Sequence, residues 1–123
     1  MGDVDLSALW LISGATDHLR GNARHGTTPL MKLAHLAELH GANVELNGPG
    51  GLFGLVHAHL VCAIRNTSYY EYFPGGTRDE AGKEIGLVNP ALPQAGHIAP
   101  PDAPGWGAEW DWAWFRKVRV AEL

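Results

Sequence analysis

Residues 28–48 read TPLMKLAHLAELHGANVELNG, a helix pattern that runs into a strand with almost no loop between them. Thr28 is a residue type that caps a helix, and Pro29 suits the first helical position, where its missing N–H costs nothing. Leu30, Leu33, Ala34 and Ala37 recur at spacings of three and four, so they share one face. Lys32 and Glu38 fall off that face. His40 and Gly41 supply an ending: a ring that can carry positive charge in the last turn, then a residue that tolerates left-handed backbone. Val44-Glu45-Leu46 reads as a short strand, broken by Asn47-Gly48-Pro49-Gly50-Gly51. Helix, brief connection and strand form the second half of a βαβ unit, which implies a parallel sheet.

Working outward from this stretch, Asp5 is placed to cap a helix through Leu6, Leu9, Trp10 and Ile12, with Gly14 as its stop. That run is apolar nearly all round, which predicts burial on more than one side. His18-Leu19-Arg20 is a brief extended piece ending at Gly21-Asn22. On the other flank a helix is predicted over about 55–64 and a strand over 69–73, the latter ended by Pro74-Gly75-Gly76. From Pro74 to Gly107 prolines and glycines crowd together. Leu87-Val88 and His97-Ile98 alone read as extended there, joined through 91–96 as a loose hairpin. Residues 109–115 hold Trp110, Trp112 and Trp114 and lead to Arg116, Lys117 and Arg119, a pattern for a short terminal helix. The division is thus βα units over 1–74 and an irregular arm over 75–123 of the same domain.

At 123 residues the chain is one domain with enough length for a core. A formal net charge of −4 and the lack of a basic cluster argue against a nucleic-acid surface. The single Cys62 excludes an intramolecular disulfide, and no leader or apolar run long enough to span a bilayer is legible. The expectation is a soluble, cytoplasmic protein. Three parallel strands with helices would leave open sheet edges, which proteins usually avoid. The chain therefore reads as part of something larger or as a protomer that needs a partner.

Several segments are similar to the mandelate racemase/muconate lactonizing branch of the enolase superfamily. They are TDHLRGN at 16–22, GTTPLMKLAHLAELHG at 26–41, NTSYYEY at 66–72 and PPDAPGWGAEWD at 100–111. The resemblance covers nearly the whole chain in order. It implies α/β architecture: the last three parallel strands of a (β/α)7β, TIM-type barrel with their helices, plus the C-terminal arm. The chemistry it implies is removal of a proton next to a carboxylate, with the enolate held by Mg²⁺. In that family three acidic metal ligands and a lysine base sit on earlier strands, expected to precede Met1, so no Mg²⁺ is expected to bind this chain alone.

The resemblance also implies site residues. Glu71 matches the glutamate of the eighth strand, which exchanges a hydrogen bond with the developing enolate. Asn22 stands where the sixth strand usually carries Asp, and Asn47 where the seventh carries His. An amide has no pKa near neutrality and cannot act as a general base. Dehydration of a sugar acid, driven by a base on the missing second strand, is then more natural than racemisation by two opposed bases. The alternative is a non-catalytic truncated or split half-barrel, acting through oligomerisation or through pairing with a complementing N-terminal half.

Arg20, two residues before Asn22, points the same way as Asn22 in an extended chain. It suits contact with a carboxylate substrate or a structural ion pair. His57 and His59 form an H-x-H pair, which favours a metal on a strand but falls here within a predicted helix. Cys62 reads as a small buried hydrophobe. Residues 48–54 are glycine-rich but lack the Lys-Ser/Thr of a phosphate loop. The tail tryptophans, with Trp106, read as packing surface.

Overall fold

The computed structural model describes residues 4–73, 82 and 85–121. Its elements are α1 (Val4–Ile12), β1 (Leu19–Gly21), a 3-10 turn (Ala23–His25), α2 (Thr27–Leu39), β2 (Val44–Leu46), α3 (Gly51–Ala63) and α4 (Trp112–Val118).

The helix and strand of the opening stretch form, with one change at the start. Gly26 (φ 103°), not Thr28, occupies the cap position of α2. The chain leaving the 3-10 turn reverses there through positive φ, which glycine adopts without strain. Pro29 stays inside the first turn, where no intrahelical partner is lost. At the other end His40 closes the helix through N–H bonds to Leu36 O and Ala37 O, and Gly41 follows at φ 67°. Leu30, Leu33, Ala34 and Ala37 are all buried.

β1 and β2 pair in parallel, with Leu19 opposite Val44, Arg20 opposite Glu45 and Gly21 opposite Leu46. Alternation along the strands separates two faces. Leu19, Val44 and Leu46 are buried in one core cluster with the α2 residues, Val56 and Leu60. Gly21 leaves room for this packing, since a Cβ there would lie 2.3 Å from Leu30 Cδ1. Arg20 and Glu45 occupy the opposite face.

Several predictions are corrected. Residues 69–73 form no strand. The backbone bond from Val44 N–H to Asn66 O (2.8 Å) and the Glu45 carboxylate attach the preceding residues 66–68 to β2, and the Glu71 side chain ties the segment itself to Gly48. The predicted terminator at 74–76 lies outside the described residues. α1 is not buried on several sides: Ser7 and Leu11 face inward, while Leu9 (63% exposed) and Ile12 (59%) face out. α2 covers only one side of it. α3 starts at Gly51 rather than Leu55, and Cys62 is exposed because the buried face of α3 is carried by Leu55, Val56, His57, Ala58 and Leu60.

The arm also pairs differently from the loose hairpin. Leu87 bridges Trp110 in antiparallel fashion, and Gln94 bridges His97 across a tight turn at Ala95 and Gly96, both at positive φ. Asn89 reinforces the first bridge by donating to Gly107 O and accepting from Glu109 N–H, each at 2.8 Å. α4 is capped by Asp111, whose Oδ1 accepts from Trp114 N–H at 2.9 Å. Phe115 contacts the rings of Trp110, Trp112 and Trp114, and Trp106 packs on His59. No helix among the described residues is long and apolar enough to cross a membrane.

Candidate functional site

A cleft of about 410 Å³ opens on the polar face of the sheet, lined by Arg20 and Glu45 from the strands and by Ser68, Tyr69 and Glu71 from the segment beside β2. Strand alternation sends Arg20 here while its neighbours Leu19 and Gly21 are buried. Arg20 and Glu71 form an ion pair through Nη2 and Oε2, with the arginine side chain 60% exposed and the glutamate 23%. The same Oε2 accepts from Gly48 N–H at 2.9 Å. Gly48 is required by this approach, because a Cβ there would lie 2.2 Å from the Glu71 carbonyl oxygen. Oε1 of Glu71 accepts no bond from the described residues and is the free acceptor of the cluster.

Glu45 is engaged differently. Oε1 accepts from Asn43 Nδ2 (3.2 Å) and Ser68 N–H (3.1 Å), and Oε2 accepts from Thr67 Oγ1 (2.9 Å) and again from Ser68 N–H. Burial pushes its pKa up. The bonds from Ser68, Thr67 and Asn43 outweigh that and hold it below the ordinary value. Glu45 therefore clamps residues 67–68 to β2 in place of a backbone ladder.

Behind the strand ends, His57 is buried (1% exposed) and joins β1 to β2. Nε2 accepts from Ala23 N–H at 2.9 Å, and Nδ1 lies 2.7 Å from Asn47 O. A carbonyl only accepts and an amide N–H only donates, so the ring carries its proton on Nδ1. Burial pushes the His57 pKa down, the Asn47 carbonyl opposes this, and the charge of Arg24 adds to the lowering.

Of the four residues singled out from sequence, Arg20 and Glu71 meet directly. Asn47 enters through its backbone: its carbonyl meets His57, and its peptide partner Gly48 meets Glu71. Asn22 is turned to local work, its Oδ1 accepting from Arg24 N–H at 2.9 Å as the cap of the 3-10 turn. The two asparagine side chains do not bond each other among the described residues. The roles of His57 and Gly48 were missed. A histidine on an otherwise apolar helix face signals a buried ring that needs partners; the H-x-H spacing drew attention to metals instead.

The family model described as enolase C-terminal domain-like matches residues 10–114. This chain belongs to that family. Solved structures share its fold. A mandelate racemase/muconate lactonizing enzyme from Sulfitobacter sp. is 26% identical, with 95% of this chain and 29% of that one covered and a TM-score of 0.73. An enolase from Agrobacterium radiobacter, described as a candidate galactarate dehydratase and bound to sodium and L-malate, is 24% identical, with 95% and 33% covered and a TM-score of 0.76. An enolase protein from Sargasso Sea shotgun sequencing is 18% identical, with 97% and 31% covered and a TM-score of 0.80. At 18 and 24% identity the likeness is one of fold. The chain spans about a third of the length of these structures.

Enolase-superfamily chemistry typically uses Mg²⁺, and the side chains described here do not fit that ion. No group of three His, Cys, Asp or Glu is placed to hold a metal among the described residues. Glu45 is committed to donors on both oxygens, and Glu71 holds Arg20 and Gly48 on Oε2, which leaves Oε1 as a single acceptor, too few for that ion.

Proposed function

We propose that this chain supplies the closing part of a (β/α)7β-type barrel in an enolase-superfamily enzyme that acts next to a carboxylate, most naturally a sugar-acid dehydratase. The observation that carries this reading is the Arg20–Glu71 pair, anchored by Gly48 N–H and lining the open cleft that runs along the polar face of two parallel strands. The anchor, Gly48, follows the carboxyl end of β2, and ligands of parallel α/β folds sit at the carboxyl ends of the strands. Among the described residues Glu71 keeps an unengaged oxygen there, suited to exchange a hydrogen bond with a substrate oxygen. Arg20 holds the Glu71 carboxylate and presents positive charge toward an acid substrate. Asn22 and Asn47 bring no titrating group, which weighs against two-base racemisation. The metal ligands and the main base belong to a part of the barrel outside this chain, so the chain alone is inactive.

A second reading, a non-catalytic half-barrel that works by self-association or by pairing with a separate first half, draws on the outward apolar side chains of α1. Screening the isolated chain against acid sugars, with 2-keto product as the readout, tests the first reading. No product above the buffer level is expected. Turnover by the chain alone would overturn it, because a complete site would then lie within these residues.

A further inference from the structure

His57 reaches Glu71 through one peptide group. Its Nδ1–H donates to the carbonyl of Asn47 at 2.7 Å, and the N–H of that same peptide, on Gly48, donates to Glu71 Oε2 at 2.9 Å. A trans peptide is rigid and planar, with C=O and N–H directed to opposite sides. Fixing the carbonyl from behind therefore fixes the aim of the N–H in front. Bonds at both ends of one peptide also polarise each other and strengthen the pair.

The ring is itself held at two edges. Nε2 takes Ala23 N–H at 2.9 Å, immediately after β1 and the Asn22 cap. A neutral Nδ1–H imidazole thus spans the ends of both strands, meeting a donor on one and an acceptor on the other. Its burial leaves it little freedom to reorient. Gly48 completes the device, since any side chain there would strike the Glu71 carbonyl and push the segment away.

We propose that His57 is a positioning residue for Glu71, acting through the Asn47–Gly48 peptide. It touches no substrate: its work is to hold the Gly48 N–H, which orients the Glu71 carboxylate and leaves Oε1 free among the described residues. The functional meaning rests on the reading of Glu71 given above, whereas the linkage is measurable without turnover.

The test is nuclear magnetic resonance on the full 123-residue chain. Ring nitrogen shifts of the wild-type protein above neutral pH are expected to show the proton of His57 on Nδ1; a proton on Nε2 overturns the proposal without any variant. The Gly48 amide proton is then compared across variants. Glu71→Gln is expected to move it upfield, marking loss of the charged acceptor. His57→Leu is expected to move it upfield as well, while His57→Asn, whose side-chain amide can still donate to the Asn47 carbonyl, retains most of the wild-type shift. A merely structural His57 predicts something else: a lower melting temperature in His57→Leu with the Gly48 amide unmoved. That result in a folded variant overturns the proposal, and it does so whether or not the enzymatic reading holds.

Discussion

Arg20 and Glu71 stand 51 residues apart and meet as an ion pair, and the oxygen they share also takes the Gly48 N–H at 2.9 Å. One carboxylate thus gathers β1, the loop after β2 and the segment beside it. An exposed ion pair contributes little stability by itself, about 0–1 kcal/mol. What the arrangement provides is position: a carboxylate of the cleft oriented by two donors on one oxygen.

The close approach at Gly48 gives the first prediction. In Gly48→Ala the new Cβ meets the Glu71 carbonyl, a backbone atom that cannot swing aside. The variant should lose about 1–3 kcal/mol in urea denaturation, the usual cost of overpacking. Wild-type stability in this variant would mean that residue 71 does not lie against residue 48.

The pH dependence of stability follows from His57 and Glu45. Unfolded, His57 takes up a proton near 6.5; folded, burial above all keeps it neutral to lower pH. Between those values the unfolded chain binds more protons, so stability falls as pH drops below 6.5 and is constant in this respect above it. Glu45 has the same sign in a lower window. Its folded pKa is depressed from 4.5, so its contribution is full above 4.5 and is lost as pH falls further. Urea midpoints measured between pH 7.5 and 4.5 should decline in the wild type, and the decline should flatten in His57→Asn. An equal slope in both proteins would remove His57 as its source.

The outer side of α1 yields a prediction about association. Leu9 and Ile12 present apolar surface with no cover among the described residues, and Leu6 and Trp10 extend it. Light scattering should show the isolated chain self-associating, and Leu9→Lys with Ile12→Glu should shift it toward monomer without lowering its melting temperature. A wild-type chain that is already monomeric at high concentration would show that this face attracts nothing.

The fold was most legible where local signals agreed. The period of Leu30, Leu33, Ala34 and Ala37, the His40-Gly41 ending and the Val44–Leu46 run set α2, β2 and the parallel pairing within a residue or so. Legibility failed where the decisive bond is distant in sequence. Residues 69–73 have strand composition, but the chain just before them is tied to β2 by the Asn66 carbonyl and the Glu45 carboxylate rather than by a ladder. The apolar content of α1 says that burial is favourable, not that a cover is present. At the site, Glu71 and Arg20 were visible as residue types in a family pattern, and the ion pair was one of two uses foreseen for Arg20. Asn22 caps the 3-10 turn, and a cap and a catalytic amide have the same sequence signature. His57 and Gly48 were noticed, but their roles were not legible, because those roles lie in one peptide plane between them, which no spacing rule records.

The functional account meets its most direct test in reconstitution. This chain would be combined with a polypeptide carrying the earlier strands of the barrel, and dehydration of acid sugars followed in the presence of Mg²⁺. The account predicts 2-keto product from the mixture, none from either part alone, and loss of that product when the chain carries Glu71→Gln. A mixture that turns over equally well with Glu71→Gln would contradict it.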